Sequence, residues 1–175
     1  EIYAGSFLLC STQNVTVRGL ISAKGLGCAP NRGEGPGTAP QLQAEAGKSR
    51  RGTCGGGGGG HCGNGGDGIR KDSHSRCGGT GGLKYDGWWT SETSGSAKPS
   101  KVPTWSASGG GGDSAGAGGG IIWIQSAALH MPSNSTSISA SGEDAVARVD
   151  GGDGSGGGAG GTVIINVTNV SGSAG

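Results

Sequence analysis

The chain has 175 residues, of which 44 are glycine, 4% are aromatic and 14% are charged, with a formal net charge of +1. So little apolar surface excludes an ordinary side-chain core, because its burial could not offset the entropy lost on folding. The near-zero charge without basic blocks excludes nucleic acid or an anionic membrane surface as the expected partner, and the longest apolar runs, such as Ile121-Ile122-Trp123-Ile124, are far too short to span a bilayer.

Residues 1–25 form a first unit. It opens on apolar Ile2-Tyr3 and Phe7-Leu8-Leu9, carries Cys10 and the sequon Asn14-Val15-Thr16, and closes on Leu20-Ile21-Ser22-Ala23. Strands are predicted at 6–10 and 14–23. Glu1 rather than Met stands first, and the segment reads as a mature protein or an excised piece. Residues 26–118 are a Gly- and Cys-rich excursion holding Cys28, Cys54, Cys62 and Cys77, the run Gly55–Gly60, and Trp88, Trp89 and Trp105. Disorder is the default for such texture. Cysteines, Tyr85 and the pair Trp88-Trp89 argue against disorder, and the Gly-Gly-x-Gly-Gly texture suits polyproline II strands packed backbone to backbone.

Residues 119–175 repeat the opening pattern twice. Ile121–Ile124 is followed by a polar turn with the sequon Asn134-Ser135-Thr136 and then by Ser137-Ile138-Ser139-Ala140. A short Gly-rich excursion at about 143–160 leads to Val163-Ile164-Ile165, with sequons at Asn166 and Asn169. Strands are predicted at 121–125, 136–140 and 162–168. No helix longer than one turn is expected, since glycine costs about 1 kcal/mol per helical position and no window has a 3.6-residue period. Two short strands cannot bury both faces alone, but stacked copies can. The expected fold is therefore all-β, with parallel β-solenoid coils and Gly-rich, polyproline II-like excursions in a single domain.

The units Gly-Gly-Gly-Ile-Ile-Trp-Ile-Gln, Ser-Ile-Ser-Ala-Ser-Gly and Gly-Gly-Thr-Val-Ile-Ile look like the large Gly-rich repeat proteins of protist and bacterial cell surfaces. That resemblance implies a β-solenoid on an extracellular surface or in a fibre. Residues 52–120 are also similar in composition to the Gly-rich domain of the anaplastic lymphoma kinase receptor family, in which polyproline II helices pack as a bundle; no binding residue is carried over from it.

Four sequons, at Asn14, Asn134, Asn166 and Asn169, place the chain outside the cytosol and make N-glycans its expected covalent partners. In that compartment the five cysteines favour disulfides. Cys10–Cys28 is the expected bridge, worth about 3 kcal/mol for a loop of that size, and Cys62–Cys77 is preferred among the rest. Zinc on Cys54, His61, Cys62, His74 and Cys77 matches no ligand spacing. Calcium at 63–69 lacks the tandem copies such loops need. Glu143, Asp144, Asp150 and Asp153 have no scaffold that would make them catalytic. No cofactor and no enzymatic activity are expected.

The expected role is a structural subunit of an extracellular glycosylated filament. Its partner would be itself, through edges at Ile2, Tyr3, Phe7 and Leu8 on one side and Val163, Ile164 and Ile165 on the other, with residues 1–10 of one copy adding to 162–168 of the next. A chain lacking residues 1–9 should then stay short or monomeric. The alternative is a binding or adhesion module. Ice binding would require flat Thr arrays, whereas Thr16, Thr136 and Thr168 fall at turns beside sequons.

Overall fold

The computed structural model describes residues 1–39, 55–62, 64–68, 78–84, 106–112, 114–146 and 154–172. Among these residues the protein is all-β and helix-free. Seven strands follow in order: β1 (Ile2–Tyr3), β2 (Ser6–Cys10), β3 (Val15–Thr16), β4 (Leu20–Ser22), β5 (Ile121–Met131), β6 (Ser137–Ser139) and β7 (Thr162–Gly172). β2 matches its predicted bounds. The stretch 14–23 divides into β3 and β4, separated by Val17–Gly19. β5 runs on past residue 125 because its second half finds another neighbour in β3, and β7 follows it along its length with one break at the bend. β1 was not expected as a strand, being two residues long.

Every pairing between the strands is parallel. One sheet runs β1-β4-β6, and in the other β5 pairs with β2, β3 and β7. Because β7 lines the whole of β5, β2 and β3 share the opposite edge. Each stack is three layers deep, so the expected run of regular solenoid coils reduces here to two short sheets.

The parallel register sets like residues side by side: Phe7, Ile122 and Val163; Leu9, Ile124 and Ile165; Val15, Leu129 and Val170. On the other sheet Ile2, Ile21 and Ile138 form the matching row. Ile122, Ile124 and Leu129 are fully buried and pack with Ile21, Ala23 and Ala140 into one core. The inward positions of β5 change from even to odd between Ser126 and Leu129. At this bend the pairing skips from Ser126–Val167 to Ala128–Asn169, so both strands turn together. The β2–β3 break lies beside it.

The Gly-rich segments pack as a second body of structure with almost no side chains inside. Their backbone hydrogen bonds recur every third residue. Gly79 donates to Gly55 and Gly82 to Gly58; Gly65 donates to Gly82 and Gly68 to Gly79; Gly56 donates to Gly154 and Gly59 to Gly157; Gly116 donates to Gly156 and Gly119 to Ala159. Three residues per turn is the repeat of a polyproline II helix, which has no internal hydrogen bonds and offers each face to a neighbour in turn. The spacing between segments admits nothing larger than hydrogen: a Cβ on Gly68 would strike the Gly55 carbonyl, and one on Gly118 the Ala107 carbonyl.

Polar side chains fasten this body at its edges. Asn31, with φ 58°, donates its Nδ2 to the Gly112 carbonyl at 3.2 Å and accepts the Gly112 N–H at 3.0 Å. Asn is among the few side chains that tolerate this left-handed conformation. Within the stretch weighed above for calcium, Asp67 and Asn64 accept the backbone N–H groups of Gly81 and Lys84 at 2.7 and 2.8 Å. They act there as brackets between segments. Glu143, expected to hang in a loose loop, is held through its backbone, donating to Ala117 and accepting from Gly158.

Candidate assembly surface

The residues expected to form assembly edges all lie on the outermost strands. Phe7 and Leu8 are on β2, at one edge of the larger sheet, and Val163, Ile164 and Ile165 are on β7 at the opposite edge. Ile2 and Tyr3 fall elsewhere: they pair with Ile21 and Ser22 at the edge of the smaller sheet. The two ends of the stack therefore carry different strands.

The β7 edge is apolar where a core should continue. Ile122, Ile124 and Leu129 are each 0% exposed, yet their register partners Val163, Ile165 and Val170 are 41%, 42% and 58% exposed. At the other end Leu8 and Ile2 are also exposed, although their neighbours Trp123 and Ile21 are more deeply covered. An unpaired strand edge with exposed aliphatics is a template for further pairing. Sequence reading missed Val170 and Val15. Counting alternate residues from Val163 puts Val170 on the wrong face, because the bend shifts the phase; Val15 keeps the phase of Phe7 but stands beyond the break after Cys10.

All four sequon asparagines are exposed. Asn14 lies between β2 and β3, Asn134 lies in the turn between β5 and β6, and Asn166 and Asn169 lie on β7. On β7 the two asparagines pair with Gln125 and Ala128, out of phase with the inward row of Ile165 and Val170. Glycans at either would leave from the outer face of the sheet and not from its core side. A shallow groove of about 400 Å³ beside Asn134 is floored by Met131 and Val170.

The cysteines depart from expectation. Cys10 and Cys28 are free thiols, so the Cys10–Cys28 bridge is not formed. Cys10 lies level with Gln125, while the Cys28 carbonyl accepts from Gly118, before β5 begins. Extended chain of that length separates them by roughly 20 Å, and a disulfide needs Cα atoms within about 7 Å. Closeness in sequence misled because β3 and β4 carry the chain around the sheets before Cys28. Cys54 and Cys77, and with them the Cys62–Cys77 pairing, lie outside the described residues, as do Trp88, Trp89, Trp105, His74, Asp150 and Asp153.

Burial, reinforced by the negative charge of Glu34, pushes the Cys28 thiol above its ordinary pKa, and its Sγ reaches the Ser106 carbonyl at 3.8 Å. Alkylation near pH 8 should therefore label Cys10 before Cys28, and the difference should vanish in denaturant. Equal rates in the folded protein, read by peptide mass mapping, would contradict this placement.

His61 is buried. Desolvation holds its imidazole below the ordinary 6.5, partly opposed by a hydrogen bond with the Gly160 backbone. The unfolded chain thus binds this proton first as pH falls. Stability should be full above pH 6.5 and decline as pH drops below it toward the lower folded value. Thermal melts between pH 7.5 and 5.5 should show this slope, and His61→Asn should flatten it. An unchanged slope in the variant would show that His61 does not titrate in this way.

Among the described residues no group of three or more His, Cys, Asp and Glu gathers to hold a metal, and no helix is long and apolar enough to cross a membrane. Comparison with protein-family models, with curated proteins and with solved structures finds no match to this chain.

Proposed function

We propose that the protein is a structural subunit of an extracellular, N-glycosylated filament or surface fibre. Its strands act as successive coils of a parallel β-solenoid, and subunits join by pairing strand edges. The observation that carries this reading is the contrast along one register: three aliphatic residues wholly buried on β5, and their partners on β7 half open to water. A stack of this kind needs either a polar cap or another layer, and β7 offers no polar cap at these positions. Unlike ends that pair head to tail grow an open filament instead of a closed ring or dimer. The polyproline II-like bundle at the side would stiffen each subunit without side-chain volume.

Electron microscopy of native material tests the reading. Filaments are expected; discrete particles would replace it with the adhesion-module alternative. The glycan part is tested separately. Intact mass before and after glycosidase treatment should fall by the mass of at least two N-glycans, drawn from Asn14, Asn134, Asn166 and Asn169. Asn166 and Asn169, three residues apart, need not both be occupied. No mass change would remove the glycoprotein and secreted origin from the proposal.

A further inference from the structure

Resting on that reading, we infer that two copies of this chain join by a half-coil lap, in which β1 of one copy docks on β6 of the other while β2 and β3 of the first dock on β7 of the second. The two sheets are out of step by one layer. In the larger sheet the layers are β2 with β3, then β5, then β7. In the smaller sheet they are β1, then β4, then β6. β4 follows β3 and β6 follows β5 along the chain, so each of these pairs makes one layer of both sheets. β1 therefore sits one layer below β2, with no larger-sheet strand beside it among the described residues. β7 sits one layer above β6, with no smaller-sheet strand beside it among the described residues. Among the described residues each end has half a layer, and the halves are of opposite kind.

The sequence of β1 fits the vacant position. Ile2-Tyr3-Ala4 aligns with Ile21-Ser22-Ala23 and Ile138-Ser139-Ala140. The ladder continues through the alanines: Ala4 donates its N–H to the Ser22 carbonyl at 3.1 Å, and Ala23 donates to Ser139 at 2.8 Å. A copy placed above would put its Ile2 beside Ile138 and its Tyr3 beside Ser139. Its Phe7, Leu9 and Val15 would then cover Val163, Ile165 and Val170, the same columns these residues already form with β5. One shift of the copy along the stack closes both contacts, because the one-layer offset between β1 and β2 matches that between β6 and β7. This corrects the simpler expectation that residues 1–10 all add to β7. The occupant is a second copy because residues 2–16 already make this parallel pairing, in this register, within the chain.

An engineered disulfide tests the lap. In the larger sheet Cys10 pairs with Gln125, and Gln125 with Asn166. Cα atoms on adjacent strands are about 4.8 Å apart, inside the range a disulfide accepts. Two strands apart, at roughly 10 Å, they cannot be bridged. Gln125→Cys should thus bridge Cys10 within one chain. Asn166→Cys cannot reach its own Cys10 and should bridge that of the next copy, giving a covalent ladder on a non-reducing gel that Cys10→Ser abolishes. Asn169→Cys, three residues out of register, should give no ladder. If the Asn166→Cys protein still forms filaments by microscopy but no Cys10-dependent ladder, the lap is wrong and the filament reading survives. If neither filaments nor ladder form, both fall. A ladder as strong from Asn169→Cys would overturn the register.

Discussion

Replacing Gly158 by alanine should destabilise the protein by about 2–3 kcal/mol, the cost of overpacking a site that cannot relax, while the same change at Gly160 should leave stability unchanged or raise it. The two positions are two residues apart and share composition, and neither has a positive φ. They differ in what a Cβ would meet. At Gly158 it would strike the Ala117 carbonyl, in the backbone of a neighbouring segment; at Gly160 nothing lies within 4 Å. Backbone held by hydrogen bonds on both sides has no rotamer to retreat into, so the whole segment must shift. At Gly160 the added methyl only narrows the unfolded ensemble, a gain of about 0.4–1 kcal/mol. Denaturant midpoints of the two variants measure this directly. Equal losses at both would mean that glycine is needed here for flexibility and not for closeness.

The second large effect separates the core from its uncovered continuation. Leu129→Ala should cost about 2–5 kcal/mol in the dispersed chain, since it empties a fully buried site between the two sheets. Val170→Ala removes the residue that pairs with Leu129, but that residue is 58% exposed. Its effect on the dispersed chain should stay within about 0.5 kcal/mol. On the proposed lap Val170 would become core, so the same variant should raise the concentration needed for assembly. Denaturation of dispersed protein and sedimentation across a concentration series read the two quantities separately. A Val170→Ala change that lowers chain stability as much as Leu129→Ala would mean that β7 is already covered.

The strands were legible in the sequence wherever aliphatic runs met small residues, and Ile21-Ser22-Ala23 and Ile138-Ser139-Ala140 revealed the recurrence of a second strand. Three things were not legible. The full length of β5 was hidden because Gln125–Met131 contains a bend that breaks strict alternation, and a period-two reading stops there. β1 was hidden by its length, and its role becomes visible only through its register with Ile21. The order of the Gly-rich segments was hidden for a physical reason: their cohesion comes from main-chain hydrogen bonds repeating every third residue, and glycine spacing does not encode which segment meets which. The Cys10–Cys28 expectation failed in the same way, since proximity in the chain was taken for proximity in the fold. Of the residues expected at the edges, Phe7, Leu8 and Val163–Ile165 lie on the outer strands of the larger sheet, whereas Ile2 and Tyr3 lie on the smaller one.

The central claim is that unlike ends of the stack join head to tail with each copy adding three strand layers to both sheets. Helical reconstruction of native filaments measures this most directly. At about 4.8 Å per layer, the account predicts strands perpendicular to the fibre axis and an axial rise of about 14 Å per subunit, with all subunits pointing the same way. Subunits related by a two-fold axis across the joint, or an axial rise that is not three strand spacings, would contradict it.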